Sequence, residues 1–136
     1  MENIFNHLSD KLIGTIKKDE HLIISFDGEN SQFIRFNNAS IRQTGLVDDA
    51  TMGLKYIANG RTCYGAFTVS GNQDIDFQRG ENEIDRMRKE SEEIPADPFL
   101  VMPKNSGSSH EIKKVNGLPF DNAVNALIPV MEGIDF

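Results

Sequence analysis

From Ser31 to Ser70 the chain reads SQFIRFNNASIRQTGLVDDATMGLKYIANGRTCYGAFTVS, short runs in which apolar and polar positions alternate. Period-two alternation rich in Phe, Ile, Thr, Tyr and Val predicts half-buried β-strands. Two dipeptides interrupt it, Asn37-Asn38 and Asn59-Gly60, and both tolerate the positive φ angles of a two-residue type I′ turn. The stretch therefore predicts two β-hairpins. A loop at Asn37-Asn38 sets Ile34 opposite Ile41 and Gln32 opposite Gln43. Moving it on by one residue would set Arg35 opposite Arg42, a disfavoured like-charge pair. A loop at Asn59-Gly60 pairs Tyr56 with Cys63, Leu54 with Gly65 and Met52 with Phe67. Each hairpin then has one apolar face, which a one-residue slip would turn to water.

The flanks follow a different period. Ile4, Phe5, Leu8, Leu12, Ile13 and Ile16 recur at helical spacing and predict an amphipathic helix over residues 2 to 18. His21 to Asp27 alternates again and reads as a first strand, with Asp27 to Asn30 as the turn after it. Val47 to Ala50 reads as a solvated turn between the hairpins. Asn72 to Ile94 is polar, with Phe77, Ile84, Met87 and Ile94 forming a narrow apolar stripe that Gly80 and Ser91 interrupt; this predicts a helix capped by Asn72 or Asp74. Pro95, Pro98 and Pro103 end it and leave Phe99 to Met102 as a candidate edge strand. Lys104 to Ser109 has the composition of a flexible connector. Leu118 to Met131 predicts a last helix, with Pro119 in its first turn and Pro129 placed to kink or shorten it. Its apolar stripe, continued by Ile134 and Phe136, reads as a surface whose partner lies elsewhere.

The fold class expected is α+β: an antiparallel sheet of about four to five strands in a hairpin meander, with an amino-terminal helix and a helix after the sheet. The division expected is a domain over residues 1–103, followed over 104–136 by a linker and short helix.

Composition narrows the function classes. The 136 residues carry 14 basic and 21 acidic side chains, a net charge of −7. That argues against a general nucleic-acid binder. One cysteine, Cys63, rules out an internal disulfide. No apolar run approaches the ~18 residues of a membrane span, and MENIFNHLSDK lacks the features of a signal peptide, so a cytoplasmic location is expected. Candidate chemistry is sparse. His7, His21 and His110 have no ligand spacing. His110-Glu111 begins like a zinc-peptidase helix, but no second His stands one turn later. Asp48 and Asp49 are adjacent, so a strand would point them to opposite faces. Cys63 falls on an inward strand position, where thiols are usually inert. No Gly-rich phosphate loop opens a helix. Candidate binding residues are the solvent-side groups of the first hairpin: Arg35, Asn37, Asn38, Arg42 and Gln43.

The order SQFIRFNNASIRQTG, a hairpin with an Asn-Gly turn, FTVSG, then IPADPFLVMPKNSGSSHE and GLPFDNAVNALI resembles the amino-terminal portion of the TldD/PmbA family over most of residues 20 to 136. Those proteins are zinc-dependent peptidases, also described as modulators of DNA gyrase. The resemblance implies a scaffold domain that helps to build a subunit interface, with itself or a paralogous subunit in a dimer, and a cleft for an extended peptide substrate. It implies that zinc and its His-Glu-x-x-x-His motif belong to a carboxy-terminal region, since nothing in residues 1–136 matches that motif. No catalytic residue, metal ligand or cofactor is therefore assigned to this chain, and no membrane or direct nucleic-acid partner is expected.

Overall fold

Leu8 and Leu12 lie one helical turn apart and, with Ser9, form the buried side of α1 (Glu2–Ile13). The computed structural model describes residues 1–102, 107–114, 117, 122–132 and 134. α1 is shorter than the 2–18 span its periodicity predicts. The Leu12 carbonyl accepts from both the amide and the hydroxyl of Thr15, at 3.1 and 2.8 Å, and this local bonding closes the last turn. Beyond it come β1 (Glu20–Asn37), β2 (Ser40–Ala58), β3 (Arg61–Thr68), α2 (Gln73–Glu93) and α3 (Ala123–Glu132).

The class is α+β with an antiparallel sheet, and its order is β1-β2-β3. The sheet has three strands, not the four to five expected. The excess came from reading Asp27–Asn30 and Val47–Ala50 as turns. Both stretches are extended and belong to long continuous strands. A Cβ on Gly28 would lie 3.6 Å from Ala50 Cβ, so β1 and β2 run side by side there as neighbours in the sheet. There each can hydrogen-bond to the other, and turn propensity yields to pairing. Phe99–Met102 is not a strand either. Asp97 accepts from the Phe99 amide through Oδ1 (2.9 Å) and from the Leu100 amide through its carbonyl (3.3 Å), which folds the segment into a turn.

The second hairpin has the predicted register: Asn59 and Gly60 take φ of 49° and 71°, and Tyr56 pairs with Cys63, Leu54 with Gly65 and Met52 with Phe67. The first does not. Positive φ falls on Asn38 (47°) and Ala39 (58°), so the turn lies one residue later than expected. Arg35 hydrogen-bonds to Gln43, which the expected register paired with Gln32. Like-charge repulsion did not decide the matter, because Arg35 is held by Phe33 and Gln43 instead.

The chain forms two compact units. The first is Met1–Glu29 with Asp49–Met102. Its core is Leu8 and Leu12 of α1, Met52 and Leu54 of β2, and Ile84 and Met87 of α2, all 3% exposed or less. Asn72 caps α2 as predicted, its Oδ1 accepting from the amides of Asp74 and Ile75 at 3.2 Å. Gly80 interrupts the stripe for a packing reason: a Cβ there would lie 2.6 Å from Leu12 Cδ2, so glycine admits α1 against α2. Ser91, the other interruption, is buried and donates to the Arg88 carbonyl at 2.7 Å. The second unit contains the hairpin Asn30–Asp48 and the carboxy-terminal stretch with α3. α3 runs through Pro129 to Glu132, so the proline does not end it. Val124, Leu127, Ile128 and Met131 are half-buried, whereas Val130 and Ile134 are 62% and 45% exposed. The expected helical residues 118–121, and Phe136, lie outside the described residues. Among the described residues no helix is long and apolar enough to cross a membrane.

Candidate functional site

All five candidate residues of the first hairpin are exposed. β1 carries Arg35 and ends at Asn37, Asn38 occupies the turn, and β2 carries Arg42 and Gln43. The structure brings two of them together: Arg35 Nη1 donates to Gln43 Oε1 at 3.3 Å. Arg42 precedes Gln43 on β2 and is exposed as well. Two residues outside the candidate set complete the arrangement. The Arg35 guanidinium carbon lies 5.3 Å from the centroid of the Phe33 ring, a cation–π contact. The ring in turn covers Gly45, where a Cβ would lie 2.5 Å from ring atom Cε1. The signal that could have found them was Gly45 itself, since a glycine inside a strand pattern marks a close approach.

A second polar cluster lies in the first unit, at a hollow of ≈ 360 Å³ whose walls include Glu20, Tyr56 and Arg88. Arg88 donates through Nε to both oxygens of Glu20 (3.0 and 3.2 Å) and through Nη2 to Oε2 (2.9 Å), with further bonds to the Thr15 carbonyl and Asp85. Hydrogen bonding from Arg88, with the Lys17 amide added and burial opposing, lowers the Glu20 carboxyl to about 2. Burial, then the adjoining Glu20, pushes the Tyr56 phenol up to about 12. At neutral pH the first is fully ionised and the second fully protonated. Neither is poised to exchange a proton, as a general acid or base would be, so the cluster acts as a clamp between β1, β2 and α2.

Asp76 is a third. It is 1% exposed and accepts from the amide and hydroxyl of Ser70 (both 2.8 Å) and the Gly71 amide (2.9 Å), which fixes the chain entering α2. Comparison of the chain with protein-family models, with curated proteins and with solved structures gives no match. The chemistry of the sites therefore rests on their geometry. His7, His21 and His110 are exposed, and among the described residues no group of three or more His, Cys, Asp or Glu is placed to hold a metal ion. Cys63 is 3% exposed, and burial raises its thiol above the ordinary value.

Proposed function

We propose that this chain is a scaffold and binding domain, the amino-terminal domain of a TldD/PmbA-type zinc-dependent peptidase, and that its sheet edge receives an extended polypeptide. The observation that supports this is the position of β1, an 18-residue strand that lies at the edge of the sheet. An edge strand offers a row of backbone donors and acceptors to any chain that can lie beside it. Leu22, Ile24 and Phe26 pack against the core, so the template from Glu20 to Gly28 is held rigid from one face. On the other face Ile23 is 47% exposed and available to a neighbour's side chains. The occupant in this reading is a peptide substrate or a strand of a second subunit, the same chain or a paralogue. The net charge of −7 steers basic segments toward it. Zinc and the residues that hydrolyse the peptide belong to a separate carboxy-terminal region, and none of residues 1–136 is assigned to them.

Two measurements test it together. Amide exchange of the full chain is followed with and without an extended peptide of alternating Lys and Val; new protection confined to β1 is expected. Metal content and peptidase activity are then compared between this chain and a version extended through the following coding sequence. Zinc and cleavage gained only by the longer protein support the peptidase scaffold. Protection at β1 with no metal site in the longer protein leaves an independent peptide-binding module. No protection at β1 overturns the edge-pairing reading.

A further inference from the structure

We propose that Arg35 is a preformed carboxylate clamp, through which the first hairpin docks an acidic segment of a partner protein. The clamp belongs to the hairpin and does not depend on the pairing of β1. Charge is segregated along the sequence. In a chain with seven more acidic than basic side chains, residues 31–47 contain Arg35 and Arg42 and no Asp or Glu. Arg79, Arg86 and Arg88 each lie within 4 Å of a carboxylate. Arg61 is bonded to the Asn59 and Ile94 carbonyls. Among the described residues Arg35 has no carboxylate within 4 Å, although Phe33 and Gln43 support it.

That ordering takes three residues. Gly45 lets the Phe33 ring lie across β2, the ring supports the guanidinium face at 5.3 Å, and Gln43 Oε1 accepts one hydrogen bond from Nη1. Glutamine can orient the guanidinium without neutralising it. The edge formed by Nε and Nη2 makes no hydrogen bond among the described residues, and its spacing matches the two oxygens of a carboxylate. A guanidinium already fixed in place loses less side-chain freedom on binding than an unsupported one. The partner is an acidic polypeptide and not a nucleic acid, because a chain of net charge −7 repels a continuous polyanion, whereas one local clamp can take a single carboxylate.

The test is an NMR titration of the full chain at low salt, following the arginine Nε–Hε signals. The probes are a ten-residue peptide of alternating Glu and Ser and its Gln–Ser counterpart. The Glu peptide is expected to shift Arg35 saturably and Arg42 much less, and the Gln peptide to shift neither. Arg35→Lys keeps the charge but loses the fork, and should weaken binding at least five-fold. Gln43→Glu supplies an internal carboxylate and should abolish binding while leaving Arg35 in place. Equal, unsaturable shifts of Arg35 and Arg42 would mean diffuse attraction and overturn the proposal. So would full affinity in either variant, or no shift of Arg35. The β1 amides, read in the same spectra, report separately on edge pairing.

Discussion

Replacing Glu20 with Gln removes the charge that ties the start of β1 to α2, and the consequence can be worked out. Arg88 hydrogen bonds hold the Glu20 carboxyl at about 2 in the folded protein, against 4.5 for the free side chain. At about 1.4 kcal/mol per pH unit, that difference makes the interaction worth about 3 kcal/mol when Glu20 is ionised. The two side chains are 11% and 18% exposed, so water screens them only partly. The folded value lies below the unfolded one. The stabilisation is therefore complete above pH 4.5 and is lost as pH falls from 4.5 toward 2. Urea unfolding of wild type and Glu20→Gln, followed by circular dichroism, reads this directly. At pH 7 the variant should be less stable by about 2–3 kcal/mol, since Arg88 keeps the Thr15 carbonyl and Asp85 as partners. Near pH 2 the gap should shrink to under about 1 kcal/mol. The other carboxylates titrate in both proteins and cancel in the difference. A gap that stays constant from pH 7 to pH 2 would refute the assignment of this stabilisation to the Glu20 charge.

Gly80→Ala should destabilise the first unit by about 1–2 kcal/mol despite alanine's better helix propensity, because the new methyl meets Leu12. In a Leu12→Ala background the same change should become neutral or stabilising by up to about 1 kcal/mol, a sign reversal that a double-mutant cycle in urea detects. Cys63 should react with a thiol reagent only on unfolding, since it is 3% exposed and burial raises its thiol; rapid labelling of the native protein at pH 7 would contradict that placement.

Local chemistry was decisive where one residue type had one job. Asn59-Gly60 needs two positive φ angles and takes them, and the register of β2 on β3 follows from that turn alone. Asn72 offers an acceptor to orphan amides at a helix start and caps α2. Cys63 stands at an inward position of an alternating strand and is buried. Where two local signals competed, the sequence misled. Asn37-Asn38 and Asn38-Ala39 are one residue apart, and the support Arg35 receives from Phe33 and Gln43 was not visible in a pairing argument built on charge.

The amino-acid pattern by itself determined the antiparallel α+β class, the second hairpin and the capped helix after it, because each depends on periodicity or on contacts between close neighbours. Tertiary structure decided what depends on residues distant in sequence. Asp27–Asn30 and Val47–Ala50 are extended as parts of β1 and β2, which pair as neighbours in the sheet. Gly80 is explained by Leu12, and Arg88 by Glu20, a residue 68 positions away. Phe33, Arg35, Gln43 and Gly45 become one arrangement only when β1 lies on β2. A strand pattern states which side of the sheet a residue takes, whereas its neighbour across the strand is set by a turn whose position several adjacent residues compete to fix.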